Sequence, residues 1–179
     1  STVADVIIVN DPIVSIDASQ YSICDGGVAT FTSSVTGGTG LNVYQWQQQI
    51  GSVWSNIAGA SASGYISPVL TEGTYNYRLL VSQATGCYTV SNEILIQVVA
   101  DPSISVTAAL VQFCEGGTAQ LHAEVTGGAG LEQYQWEQFI SGIWTSLPGA
   151  TSADYTSVPL SAGIHFFRVI VTQNSGCQS

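Results

Sequence analysis

Lysine is absent from the 179 residues, and Arg78 and Arg168 are the only strong cations against 12 Asp and Glu. A formal charge of −10 removes the usual means of gripping a phosphate backbone, so nucleic acid is not expected as a partner, and an anionic membrane surface would repel the chain. No apolar run approaches the roughly 20 residues of a bilayer span. VIIV at residues 6–9 is strand-sized, and membrane insertion is not expected. Helical spacing is missing as well, since no segment places apolar residues at i, i+3, i+4 and i+7 for long enough to matter. Methionine is absent and no signal peptide precedes Ser1, which reads as a segment of a longer chain.

Catalytic constellations are equally scarce. The only histidines, His122 and His165, fall in no zinc-protease or hydrolase motif and are expected as partly exposed strand residues. TGGTG and TGGAG, beginning at Thr36 and Thr126, lack the lysine and helix of a phosphate cradle and read as hairpin turns whose glycines permit positive φ. Carboxylates such as Asp11, Asp25, Glu72, Asp101, Glu115 and Asp154 stand singly, without the dense D-x-D run of a calcium cage. No metal, cofactor or enzymatic activity is therefore assigned. Calcium at Asp11-Pro12 and Asp101-Pro102 stays open beside the plainer reading of stiff junctions.

What is present is a sentence written twice. GLNVYQWQQQIGSVW from Gly40 and GLEQYQWEQFISGIW from Gly130 lie 90 residues apart, and the same shift carries Cys24 to Cys114, Cys87 to Cys177, Trp46 to Trp136, Trp54 to Trp144 and Arg78 to Arg168. A period near 90 residues is a domain rather than a solenoid turn. Within a copy, VATFTSSV, VYQWQQ, SVWSNI, TYNYRLLVS and EILIQVV alternate apolar with polar and are rich in β-branched and aromatic residues. That period predicts about seven short strands in an antiparallel sandwich.

Gly26-Gly27 before an alternating strand, then Trp46, then LTEGTYNY resembles the immunoglobulin-like fold, with Trp46 and Trp136 as core tryptophans of strand C and Tyr75 as the corner tyrosine of strand F. His165 stands at that corner in the second copy, so the corner hydrogen bond is not expected there. Where antibody domains carry their cysteines the chain has Phe31 and Tyr77, then Leu121 and Phe167, so apolar packing should fill both cores. A Cys before Gly-Gly and a Gly-Cys after strand F resemble the tandem immunoglobulin-like and PKD-like repeats of large Bacteroidota surface proteins. That resemblance implies secretion, cell-surface exposure and a role as adhesin, stalk or fibre.

Four widely spaced cysteines without a C-x-x-C pair read as structural disulfides formed in an oxidising compartment. Cys24 precedes Phe31 by seven residues while Cys87 follows Tyr77 by ten. Seven extended residues cover about 23 Å, whereas a disulfide needs Cα atoms within about 7 Å. The favoured pair is therefore inter-domain, Cys24–Cys177, with Cys87 and Cys114 left for neighbouring repeats. The alternative is Cys24–Cys87 with Cys114–Cys177.

The expected organisation is all-β: two tandem immunoglobulin-like sandwiches at residues 11–100 and 101–179, the second without its last strand. Residues 1–10 form a segment like strand G, because residues 5–12 overlay residues 95–102. That strand belongs to a preceding repeat or is donated, as residues 2–9, to another copy by β-strand addition. The expected function is a non-catalytic structural or adhesive module of an extracellular surface protein, partnered by neighbouring repeats. The alternative is a carbohydrate-binding module in which Trp54 and Trp144 stack on a surface glycan beside Asn56 and Ser146.

Overall fold

The computed structural model describes residues 4–173 and Cys177. Residues 1–3, part of the expected donor segment, lie outside the described residues. Every regular element described is a β-strand, and no helix is long and apolar enough to cross a membrane. Two compact units form, one of residues 4–21 with Gly26–Val98 and the other of Ser22–Asp25 with residues 99–173 and Cys177. The chain therefore divides near residue 98, and four residues of the first sequence copy join the second unit.

Strands run in order as β1 (Ile13–Ala18), β2 (Ser22–Cys24), β3 (Thr30–Thr36), β4 (Asn42–Ile50), β5 (Val53–Asn56), β6 (Tyr65–Ile66), β7 (Gly73–Gln83), β8 (Tyr88–Val90) and β9 (Ile94–Val99). In the first unit β1-β3-β6 make one antiparallel layer and β9-β7-β4-β5 the other, with β8 on β7. Two-residue periodicity decides what each strand buries. Val14, Ile16 and Ala18 of β1 turn inward, as do Ile94, Ile96 and Val98 of β9.

Between the layers Phe31 meets Tyr77 at 4.7 Å and Trp46 at 5.5 Å between ring centroids. Trp46 is fully buried, and its Nε1 donates to the Ala62 carbonyl at 2.9 Å. Tyr77 is also fully buried, yet its hydroxyl has no hydrogen-bond partner among the described residues. Burial lifts that phenol's pKa well above the usual value, with smaller contributions from Tyr65 and Tyr75. A raised folded pKa means stability is whole below about pH 10 and lost as pH climbs through the folded value. Phenylalanine stands at this position in the second copy, as Phe167. Tyr77→Phe is expected to raise unfolding free energy by about 1 kcal/mol, because an orphaned hydroxyl no longer has to be desolvated, and to delay alkaline unfolding. Denaturant melts at neutral and alkaline pH check both. A loss of stability on removing the hydroxyl would mean that it has a partner.

The second unit contains β10 (Ser103–Ala108), β11 (Gln120–Thr126), β12 (Glu132–Ile140), β13 (Ile143–Ser146), β14 (Asp154–Thr156) and β15 (Phe167–Gln173). Its layers are β10-β11-β14 and β13-β12-β15. Trp136 is fully buried against Tyr155 at 5.8 Å, with Leu121 buried in the same cluster and Phe167 packed on its margin. Strand β15 starts at Phe167, whereas β7 starts at the position equivalent to Gly163. Among the described residues nothing pairs with β15 where β9 pairs with β7.

The glycine runs are not hairpin turns. β3 and β4 lie in different layers, so the loop between them crosses the sandwich. Gln83, buried at the end of β7, accepts from the Thr39 backbone N at 2.7 Å, and Gln173 does the same for Ala129 at 2.7 Å. Gly38 and Gly128 sit against those amides with φ of 65° and 69°, and a Cβ at either would collide with the glutamine. The repeated TGG thus records a loop tied to a buried glutamine.

Candidate functional site

Three features stand out: the outer face of the β4-containing sheet with its counterpart, the corner after β6, and the disulfide. Trp54 lies opposite Gln49 on β4, and the Arg78 guanidinium sits 4.3 Å above its ring. Arg78 Nε donates to Gln47 Oε1 at 2.7 Å, and Gln47 Nε2 donates to Asn56 Oδ1 at 2.7 Å. The second unit repeats this with Arg168 4.5 Å above Trp144, paired with Glu137 at 2.7 Å, while Ser146 Oγ donates to Glu137 at 3.1 Å. Both strong cations are therefore engaged with tryptophan, each stack being worth about 0.5–1 kcal/mol at a partly exposed site. Trp54 and Trp144 are half-buried, with one ring face taken by arginine.

One row further along, the copies part. The first has Gln49 accepting from Asn76 Nδ2 at 2.8 Å, where the second has Phe139 and Phe166. Phe139 lies 5.3 Å from Trp144 and 6.5 Å from Phe166, so three aromatic rings stand side by side on an outer face. Sequence reasoning passed over both phenylalanines. The signal was the exchange of two amides for two aromatics between otherwise matched copies.

At the corner, Tyr75 hydroxyl donates to the Thr71 carbonyl at 2.9 Å. The expectation that the second copy lacks this bond is corrected: His165 Nε2 lies 3.0 Å from the Ser161 carbonyl. Gln138 Nε2 lies 3.2 Å from Nδ1, and donation from that amide places the imidazole proton on Nε2. Imidazole reaches as far as the phenol does here. His122 instead pairs with Asp154 at 2.7 Å on the exposed edge, an arrangement worth little to stability.

A disulfide joins Cys24 on β2 to Cys177, with Cα atoms 5.3 Å apart across 153 residues of sequence. Cys87 and Cys114 are free thiols, the first half-buried and the second exposed. Cys24–Cys87 and Cys114–Cys177 thus do not form. Local bonds explain the placement: Asp25 N donates to the Val99 carbonyl at 2.8 Å, and Gln173 N donates to the Cys177 carbonyl at 2.8 Å. The Asp101 carboxylate lies within 4.8 Å of both sulfurs, but an oxidised pair has no thiolate to offer a cation.

Several solved structures share features with the chain. The fibronectin(III)-like modules of Clostridium thermocellum CbhA match at 16% identity and TM-score 0.47, over 93% of this chain and 89% of that one. A Ca2+-stabilized adhesin with which an Antarctic bacterium binds ice matches at 16% identity and TM-score 0.47, over 98% and 48%. The N-terminal four Ig domains of Dscam1 isoform 6.9 match at 12% identity and TM-score 0.40, over 99% and 46%. The chain spans about half the length of the last two. No curated protein matches it. One family matches twice, over residues 14–100 and 104–179, the two copies of the repeat. The chain belongs to that family, described as a domain of unknown function (DUF8696).

Proposed function

We propose that the chain is a load-bearing, non-catalytic repeat module of a secreted surface protein, built into a stalk or extracellular fibre of the kind its resemblance to Bacteroidota surface repeats implies. Residues 11–100 and 101–179 are its repeats, and residues 1–10 supply a strand to a sandwich other than their own. The observation that carries this reading is the Cys24–Cys177 disulfide, which ties the first sequence copy to the second. By the 90-residue shift Cys114 is the counterpart of Cys24, and Cys87 of Cys177. Each free thiol is therefore half of the same bond to an adjoining repeat. Successive bonds of this kind overlap, so tension runs through covalent links while the sandwiches between them stay folded. Such cross-links persist in an oxidising, extracellular setting.

Pulling single molecules by their two ends tests the idea. Oxidised chains should withhold the residues between the sulfurs, on the order of 500 Å of contour at about 3.3–3.6 Å per residue, and reduced chains should release it. Equal lengthening in both states would sink the proposal.

A second reading rests on the ring row of Phe139, Trp144 and Phe166, a platform of the sort that stacks on sugar rings. Its test is a tryptophan-fluorescence titration with surface glycans, repeated on Phe139→Ala. An unchanged spectrum across the glycans tried would leave the aromatic row as packing surface.

A further inference from the structure

The Cys24–Cys177 bond closes beside a carboxylate. One ligand atom from each of Cys24, Asp101 and Cys177 lies within 4.8 Å of the other two, and all three residues belong to the second unit. Both cysteines are almost wholly buried, whereas Asp101 is exposed. Backbone bonds hold the arrangement in place. Asp25, next to Cys24, donates its N to the carbonyl of Val99, just before Asp101, and the Cys177 carbonyl accepts from Gln173 N. Pro102 is buried, and its ring restricts Asp101 to extended backbone. By the 90-residue shift Asp11, Cys87 and Cys114 are the counterparts of Asp101, Cys177 and Cys24, so the carboxylate recurs with the thiols.

We propose that the chain, with this disulfide reduced, binds one zinc-type divalent cation through Cys24 Sγ, Cys177 Sγ and an Asp101 carboxylate oxygen. Two sulfurs and one oxygen are the wrong donors for calcium or magnesium, which take six or more oxygens, and suit a borderline-soft ion that thiolates bind well. Bonds of about 2.3 Å to sulfur and about 2.0–2.2 Å to oxygen set neighbouring donors of a tetrahedral ion about 3.6–3.8 Å apart. Once the S–S bond is gone, rotation about each Cα–Cβ bond brings the sulfurs toward that spacing from Cα atoms 5.3 Å apart. Solvent on the exposed Asp101 side supplies the fourth ligand. Two small thiols reduce the bond with two electrons and two protons, leaving as their own disulfide, and the cation then displaces both thiol protons of the chain. In reverse, a small-molecule disulfide takes two electrons from the thiolates and departs as two thiolates. The Cys24–Cys177 bond closes, and the cation is released because Asp101 alone holds it weakly. Metal and disulfide are thus alternative ties between the same two sequence copies. This site lies beyond the repeat-module reading, which needs only the oxidised bond.

The test uses the 179-residue chain with Cys87→Ser and Cys114→Ser, which leaves Cys24 and Cys177 as its only cysteines. After reduction by a phosphine and its removal under nitrogen, the chain is titrated with Co2+ and then with Zn2+. One Co2+ per reduced chain should bind with the visible absorption of a tetrahedral cobalt thiolate, and Zn2+ should abolish that colour. The oxidised chain should bind neither ion. Asp101→Asn, at an exposed position, should weaken Co2+ binding at least about tenfold, while Asp25→Asn, at the exposed carboxylate next to Cys24, should not. Zn2+ should also restore the amide protection across β11, β12 and β15 that reduction weakens, since binding energy becomes folding energy. A reduced chain that takes up no Co2+, or takes it up without tetrahedral bands, overturns the proposal, and so does zinc binding that leaves amide exchange unchanged. An equal loss in Asp25→Asn would reduce the Asp101 effect to net charge and overturn its place as a ligand. None of these failures touches the pulling test, which reads the disulfide alone.

Discussion

Cys24→Ser is expected to lower the unfolding free energy by as much as about 5 kcal/mol, the chain-entropy value for a closed loop of this length. The sulfurs are 153 residues apart in sequence, and the loop between them contains the whole Gly26–Val98 body of the first unit. If that body stays folded while the second unit opens, the chain freed is about 80 residues, and halving a loop changes the closure cost by only about 0.6 kcal/mol. The loss should therefore appear mainly in the transition of the second unit, where both sulfurs belong. A chain of two units need not melt in one step, so denaturant curves should be followed by a probe in each unit, in the Cys87→Ser, Cys114→Ser background. Wild type under reducing agent should reproduce the variant. Coincident curves for oxidised protein and Cys24→Ser would show that the pair carries no stability.

Period-two alternation and the 90-residue shift made much of the architecture legible, because β3, β4, β5, β7 and β9 each carry their own apolar pattern. The facing of Phe31 and Tyr77 followed from substituting apolar residues where related sandwiches place sulfur. Illegible features were those decided by distant partners. Ser22–Asp25 joins the second unit through a backbone bond from Asp25 to Val99, which no local pattern in SICD announces. The glycine loops looked like hairpin turns because their need for positive φ is local, whereas the reason for it, a buried glutamine some 45 residues later, is not. His165 was misjudged by residue type: the corner requires a donor at a given reach, and imidazole supplies one. The short strands β6 and β8 exist only as partners of β3 and β7 and have too few residues for a periodic signal. Phe139 and Phe166 are legible only as departures of one copy from the other, standing where the first copy has Gln49 and Asn76, because a repeat advertises the positions its copies share.

Trp136→Ala should unfold the second unit, while Trp46→Ala should only weaken the first. Truncating a fully buried tryptophan costs about 3–5 kcal/mol, and each variant also forfeits an indole hydrogen bond, to Ser152 or Ala62. The difference lies in what remains. Phe31 lies against Trp46, and Tyr77, Leu79, Val81 and the three inward residues of β9 are buried in the same unit. The cluster around Trp136 consists of Leu121, Leu160 and three alanines, with Phe167 and Tyr155 only partly covered; Val171, the counterpart of Val81, is buried as well. Marginal stability of small domains means that about 4 kcal/mol can exhaust a thin core and leave a thicker one folded. Hydrogen exchange followed by mass spectrometry reads each unit separately: Trp136→Ala should lose amide protection across β11, β12 and β15 while β3, β4 and β7 keep theirs. Trp46→Ala should lower the melting point of the first unit yet retain protected amides at room temperature. Equal losses in the two variants would mean that the make-up of the core around each tryptophan does not set how much truncation its unit survives.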